Sequence, residues 1–352
     1  MVEWLAGNRL RGTTAERPNL SLQTTGGWKE LARTTLGSNT APITVSSIPD
    51  KRYYMILAHN IASGNVNWNF RVGTGGTLDT GSNYADRHSQ NGAGDNTTAP
   101  ANRWGDFLGN QAKDRFTQLY ISNLSGKEKL MIGHVADRGT STGASSAPER
   151  VEVVGKWTNT SLIDILSLQD DGSDNMGTGS EMVVLGWDPA DTHTTNFWEE
   201  LADVTWSSGG VIDSGTITAK KYLWVQFYGT QTSGAFARLN FNSDTGSNYS
   251  YRYSINGGAD ATGTSQARGV VQFGTAGALP YFTNMFIINN SANEKLIIQH
   301  AVFQNTAGAG TAPQRLEQVQ KWSNTSAQIT KITATANTGN FTAGGMKVWG
   351  AN

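Results

Sequence analysis

The chain has 352 residues, with 27 basic against 28 acidic side chains, 41 glycines and no cysteine. A charge balance this even leaves no electrostatic footprint for nucleic acid or an anionic membrane, and the lack of thiols excludes disulfides, thiolate catalysis and cysteine-ligated zinc. At roughly 100 to 200 residues per domain the length suits two domains, and no apolar run approaches the roughly 20 residues of a membrane-spanning helix.

Residues 1–27 are rich in Arg, Thr, Gly and Asn and have no counterpart later in the chain. Charges at Glu3, Arg9 and Arg11 interrupt any apolar run of the kind a secretory signal needs. The stretch reads as an arm with too little apolar surface to fold alone, its Trp4, Arg9 and Arg11 making assembly contacts with a neighbouring subunit. Trp28-Lys-Glu-Leu-Ala then opens a domain over 28–187, and Trp198-Glu-Glu-Leu-Ala opens another over 198–352, across a short polar linker at 188–197. These two entries carry the one trace of helical spacing.

Everything else has period two. Residues 52–58 and 221–228 are aromatic and branched runs that read as buried strands. Asp79-Thr-Gly-Ser-Asn and Asp244-Thr-Gly-Ser-Asn are turns in which Gly81 and Gly246 are expected at positive φ. The strands that follow place Arg87, Ser89 and Asn91 on one face, as they do Arg252, Ser254 and Asn256. Residues 116–123 and 282–289 read as central strands covered on both faces. Each forms a hairpin with 128–135 or 294–301, through turns holding Gly126 and Asn293. Roughly eight short strands per domain describe an all-β fold: two tandem antiparallel β-sandwiches with jelly-roll or related Greek-key wiring.

The two domains repeat one another. Asp79 to Tyr84 returns as Asp244 to Tyr249, Glu128-Lys-Leu as Glu294-Lys-Leu, and Lys156-Trp157 as Lys321-Trp322, at a separation of 165 to 166 residues. Solenoid repeats run about 20 to 50 residues, so this is an internal duplication of a whole domain. What both copies share belongs first to the fold.

That rule sorts the candidate sites. The Arg87-Ser89-Asn91 and Arg252-Ser254-Asn256 stripes are either ligand or subunit contacts, or a structural turn with a tying arginine. The stripe Arg150, Glu152, Lys156 and its twin Arg315, Glu317, Lys321 suit exposed or cross-strand ion pairs. Trp157 and Trp322, at the same parity in both copies, read as core, while Trp68, Trp104, Trp206 and Trp224 are candidate aromatic platforms for a sugar. Gly139-Thr-Ser141-Thr-Gly143 fits the G-x-S-x-G pattern, but no strand-turn-helix surrounds it, so Ser141 is not read as a nucleophile. His59, His88, His134, His193 and His300 show no metal-binding spacing, and Asp170, Asp171 and Asp174 read as a surface turn rather than a calcium loop. The reading is therefore of no catalytic residues, no metal and no cofactor.

The opening Trp4-Leu-Ala-Gly-Asn-Arg-Leu-Arg, the Asn-Tyr-x-x-Arg-x-Ser-x-Asn-Gly strand, Gly155-Lys-Trp-x-Asn-Thr-Ser and the closing Met-Val-Val-Leu-Gly or Val-Trp-Gly strands resemble virion structural proteins of tailed viruses known mainly from marine sequence data. The resemblance implies a β-sandwich subunit of a capsid or tail, located on the extracellular particle, and it carries over no catalytic residue. The expected function is a non-enzymatic virion structural protein, partnered by other copies of itself and other virion proteins. The rivals are a receptor- or carbohydrate-binding tail module, partnered by a host-surface glycan or receptor, and a glycan hydrolase. Neither nucleic acid nor membrane insertion is expected.

Overall fold

The computed structural model describes residues 3–5, 8–11, 27–105, 112–170, 174–191, 195–232, 236–273, 279–304 and 306–352. The fold is all-β, with no helix among these residues. In the N-terminal stretch β1 (Glu3–Leu5) and β2 (Asn8–Arg11) pair as an antiparallel hairpin, a local order that composition alone does not suggest. The side chains of Trp4, Arg9 and Arg11 lie outside the described residues.

The chain divides into two compact units, the first of residues 1–89, 95–134 and 152–198, the second of 90–94, 135–151 and 199–352. Unit 1 is built from β3 (Lys29–Thr35), β4 (Ile43–Val45), β5 (Tyr53–Asn60), β6 (Trp68–Thr74), β7 (Thr77–Leu78), β8 (Tyr84–Gln90), β9 (Asn96–Ala101), β10 (Trp104–Gly105), β11 (Arg115–Ser122), β12 (Lys129–Asp137), β13 (Glu149–Trp157), β14 (Ile165–Asp170) and β15 (Glu181–Trp187). Its large sheet runs β3-β15-β5-β11-β12-β13-β8-β9 and its small sheet β10-β6-β14-β4, with β7 paired to β6. Unit 2 uses β16 (Glu199–Trp206), β17 (Val211–Asp213), β18 (Tyr222–Gln231), β19 (Ala237–Phe241), β20 (Tyr249–Ile255), β21 (Ala261–Gln266), β22 (Gly269–Gln272), β23 (Tyr281–Ile288), β24 (Lys295–Phe303), β25 (Gln314–Trp322), β26 (Ile332–Ala336) and β27 (Phe341–Ala351). Its sheets run β16-β27-β18-β23-β24-β25-β20-β21 and β17-β26-β19-β22, so equivalent segments follow one order in both units.

Each unit is a sandwich whose two inner faces make one core. In unit 2 Leu223, Val225 and Phe227 of the large sheet cluster with Leu239, Phe241, Ile332 and Ala334 of the small one. The Trp-x-Glu-Leu-Ala entries are edge strands, not helical turns: β3 pairs with β15 and β16 with β27. A half-exposed edge strand carries a mixed pattern, and cross-strand pairing overrides its weak helical spacing.

The repeated Asp-Thr-Gly-Ser-Asn-Tyr motif ties the two sheets together. The Tyr84 hydroxyl donates to Val72 O at 2.8 Å and accepts from Val72 N at 3.2 Å, and Tyr249 accepts from Phe241 N at 2.9 Å. The indoles of Trp157 and Trp322 are buried and donate to Asp79 and Asp244 at 2.7 Å each. Burial works to raise both carboxyls, but the bonds from the indole, the asparagine amide and the glycine N–H outweigh it and hold them below the usual carboxylate range. Gly81 and Gly246 do not have positive φ. The Asp and Asn side chains close over them: a Cβ would stand 2.9 Å from Asn83 Nδ2 or 2.8 Å from Asn248 Nδ2, so it would displace the amide that bonds Asp79 or Asp244.

Candidate binding face of the second unit

Strand parity decides which residues the large sheet of unit 2 turns away from its core, Phe286 among them being buried all the same. Leu223, Val225, Phe227, Met285, Ile287, Met346 and Val348 point into the core. Their neighbours Trp224, Gln226 and Tyr228 on β18, Phe282, Asn284 and Phe286 on β23, and Gly345, Lys347 and Trp349 on β27 therefore share the outer face.

Half of that face is covered by residues 137–150. Ser250 Oγ donates to Ser146 O at 2.9 Å, Arg252 Nε to Pro148 O at 2.9 Å, and the Ser265 N–H to Ala144 O at 2.7 Å. Lys321, fully buried, donates to Arg138 O at 2.6 Å and Ser141 O at 3.2 Å, and Glu294 accepts from the Gly143 N–H. Arg150 grips Asp260 through Nε and Nη2, at 3.1 and 2.7 Å, with Glu317 at 3.6 Å. Tertiary packing thus buries the first member of the Arg150 stripe, while Lys156 keeps an exposed cross-strand pair with Glu128 at 3.8 Å. Burial pushes the His300 imidazole on β24 down to about 4, against the pull of Glu317.

This covering gives the second polar stripe intramolecular partners. Arg252 faces the segment 137–150 of its own unit, Ser254 is buried and bonds Gly258 O at 2.7 Å, and Asn256 sits at φ 55° with its Oδ1 on the Arg315 N–H at 3.0 Å. Asn91 does the same at φ 52° with the Arg150 N–H, since asparagine tolerates the left-handed region by bonding locally. Both asparagines are turn residues. In unit 1 Arg87 is exposed and paired with Asp95 at 3.2 Å, and Ser89 is half-buried.

The other half, β16-β27-β18-β23, holds a groove of about 330 Å³ lined by Asp203, Thr205, Gln226, Tyr228, Phe282, Gly344, Gly345 and Lys347, among others. Tyr228 and Phe282 are cross-strand partners, 49% and 40% exposed, so neither ring is committed to the core. Tyr228 also pairs with Gly345, which presents no side chain and leaves the floor beside the rings flat. Further along the strands Trp224 stacks on Phe286 (centroids 5.7 Å, 13°) and meets Trp349 at 4.9 Å. Asn284 Oδ1 accepts from Trp224 Nε1 at 2.7 Å and Gln226 Nε2 at 3.3 Å, which orients both amides between the two aromatic groups. Lys347 is held by Asp203 at 2.6 Å and Glu200 at 3.7 Å. From Trp224 to Tyr228 the strand advances about 13 Å.

Of the four tryptophans considered as platforms, the structure leaves Trp224 on this face. Trp104 is fully buried, its indole on Lys156 O at 2.9 Å, in a space made by Gly155, where a Cβ would lie 2.8 Å from Trp104 Nε1. Unit 2 fills the same layer in reverse, with Gly269 beneath the Gln320 side chain. Trp68 is buried with the Arg115 guanidinium over its ring at 5.4 Å, and Trp206 packs half-buried on the core. Tyr228, Phe282 and Trp349 escaped the sequence reading because their runs look apolar on both sides. The legible signal was parity: Trp224, Gln226 and Tyr228 alternate with Leu223, Val225 and Phe227. At the equivalent positions of unit 1, Met55, Leu57, His59, Phe116 and Gln118 are buried, so the open aromatic groove is particular to unit 2.

Ser141 is exposed in the segment 137–150, with no helix after it. Asp170 accepts from the Asn67 N–H at 2.6 Å and Asp174 from the Asn65 N–H at 3.0 Å, closing a loop, while Asp171 and His193 lie outside the described residues. His88 is buried against Asp86 at 3.2 Å, and His134 is half-buried. A second groove, in unit 1, is lined by Ser82, Asp86, Thr98, Asn102 and Arg103, with no aromatic ring in its wall.

No protein-family model and no curated protein matches the chain. Among solved structures, the LG1–3 region of the laminin α2 chain is similar at a TM-score of 0.22 and 9% identity over 88% of this chain, which spans 64% of that one. Mouse laminin α1 domains LG4–5 give a TM-score of 0.18 at 11% identity, over 91% of this chain and 88% of that one. The Ail attachment invasion locus protein of Yersinia pestis gives 0.13 at 5% identity, over 78% and 99%. Likenesses at this level carry no argument about function.

Proposed function

We propose that the chain is a non-enzymatic structural component of a virion, on the capsid surface or tail, whose second unit binds a host-surface glycan through the open half of its outer sheet face. The groove beside Tyr228 and Phe282 carries the binding part of this reading. A pyranose presents C–H faces that pack on aromatic rings and a rim of hydroxyls that needs amide and charged partners, and here rings, Gln226, Asn284 and the Asp203–Lys347 pair lie side by side. Lys347 is already balanced by Asp203 and Glu200, so a neutral sugar suits the groove better than a sulfated one. The virion setting rests on the sequence resemblance, and assembly with other copies belongs to the same reading.

Hydrolysis is disfavoured on geometry. A glycosidase needs two carboxyls flanking the scissile bond, whereas the groove wall offers one, Asp203, tied to lysine. The test is a glycan array probed with the wild-type chain and with a Tyr228→Ala, Phe282→Ala double variant. Wild type is expected to select neutral oligosaccharides, and the variant to bind them at least tenfold more weakly. A wild-type chain that binds no glycan, or a variant that binds equally, overturns the reading.

A further inference from the structure

The covered half of the unit 2 face is one contact made of two parts, a seated segment and a receiving sheet face. Each part has a twin in the chain that is not seated. In the seated segment Ala144, Ser146, Pro148 and Arg150 are buried, and Gly143 turns at φ 81°. Its twin carries Ala309, Thr311, Pro313 and Arg315 at the same spacing, and Gly308 turns at φ 82°. There residues 306–313 are all exposed, and the Arg315 side chain is 61% exposed.

The receiving face shows the same contrast. Under the seated segment Leu296, Ile298 and Val319 are 0%, 2% and 3% exposed. The matching residues of unit 1, Leu130, Ile132 and Val154, are 58%, 55% and 48% exposed. The polar groups that hold the segment have twins as well: Arg252 and Asp260 correspond to Arg87 and Asp95, and Lys321 and Glu294 to Lys156 and Glu128. In unit 1 these are solvent-facing pairs at 3.2 and 3.8 Å. Two rungs are missing, since Ser250 is replaced by Ala85 and the N–H of Ser265 by Pro100, which has none.

We infer that residues 306–315 of one copy of this chain dock on the β12–β13 face of unit 1 in a second copy, repeating between molecules the contact that residues 137–150 make inside unit 2. Arg315 then exchanges Glu317 for Asp95, Arg87 meets the Pro313 carbonyl, Lys156 takes up the carbonyls at the start of the segment, and the apolar trio Leu130, Ile132 and Val154 is covered. Segment and face are different surfaces, so the contact is heterologous and propagates head to tail, as a ring if the rotation closes and a filament if it does not.

Arg315→Glu disables the segment and Ile132→Asp disables the face, both at exposed positions where folding is unaffected, with circular dichroism as the check. Measured by size exclusion with light scattering, wild type is expected to assemble and each variant to run as a monomer. An equimolar mixture of the two variants is expected to stop at a dimer, because one good segment meets one good face and nothing remains to extend it. The exchange Arg315→Asp with Asp95→Arg in one chain is expected to restore assembly. A wild type that is monomeric up to its solubility limit overturns the proposal. So does assembly that survives Arg315→Glu but is lost on deleting residues 2–27, which would move the interface to the arm.

Discussion

Replacing Arg150 by alanine tests whether the segment 137–150 is part of unit 2. Arg150 and Asp260 are 4% and 3% exposed and are joined by a two-nitrogen grip at 2.7 to 3.1 Å. Removing one partner of a buried pair leaves an uncompensated charge and costs about 3 to 5 kcal/mol. Arg252 remains 3.7 Å from Asp260 and shares its charge, which puts the expected loss near the lower end, about 3 kcal/mol. The comparison is Arg87→Ala, whose pair with Asp95 is solvent-facing and worth about 0 to 1 kcal/mol. Removing both charges in Arg150→Met, Asp260→Leu should recover much of the loss, since a buried ion pair contributes little over an apolar pair of similar volume. Urea unfolding followed by tryptophan fluorescence, at a dilution where the chain is monomeric, gives the three values. An Arg150→Ala loss no larger than that of Arg87→Ala would refute the reasoning, because it would mean the segment is not held as the geometry shows.

Trp322→Phe removes a hydrogen bond to the Asp244 carboxylate and is expected to cost about 1.5 to 3 kcal/mol in urea unfolding. Asp79 and Asp244 sit below their ordinary value when folded, so their stabilisation is present above about pH 3.9 and is lost as the pH falls through the folded values; acid unfolding of Trp322→Phe should begin at a higher pH than in wild type. His300 is pushed down to about 4, so below its ordinary value the unfolded chain takes up the proton first. Stability should therefore rise with pH between about 4 and 6.5, and His300→Gln should flatten that slope. Lys295 is buried with its ammonium on the carbonyls of Ser291, Asn293 and Asn324 at 3.3, 2.9 and 2.8 Å, as Lys129 is on its own turn. Lys295→Met is expected to cost about 1.5 to 3 kcal/mol by thermal or urea unfolding, through carbonyls left without a donor.

Local signals in the sequence reached the sandwich architecture, because period two, turn residues and a repeated Tyr and Trp are local or nearly so. They also placed Trp157 and Trp322 in the core from shared parity. What they could not reach depends on contacts between distant residues. Trp104 and Trp224 read alike in sequence, and what separates them is Gly155, which opens a buried space for Trp104, whereas Trp224 stays half-buried against Phe286 and Trp349 on the outer face. Ala144, Ser146 and Pro148 are buried because a sheet face more than a hundred residues later receives them, a contact that no local pattern announces. The sequence left the Arg252 stripe open between a contact surface and a structural tie, and what bears on the choice is Pro148, whose carbonyl accepts from Arg252. Gly81 was read as a φ requirement, whereas its φ is ordinary and what crowds it are the Asp79 and Asn83 side chains two residues away on either side.

Hydroxyl-radical footprinting of the wild-type chain, with and without a neutral oligosaccharide selected by the array, tests the binding face most directly. Tyr228 and Phe282 are reactive aromatic rings that stand 49% and 40% exposed, so both should be oxidised in the free chain. The expected result is protection of these two rings on adding the sugar, with Leu130 and Ile132 unchanged. Binding that leaves Tyr228 and Phe282 as reactive as before, with protection elsewhere on the chain, contradicts the assignment of this face as the glycan site.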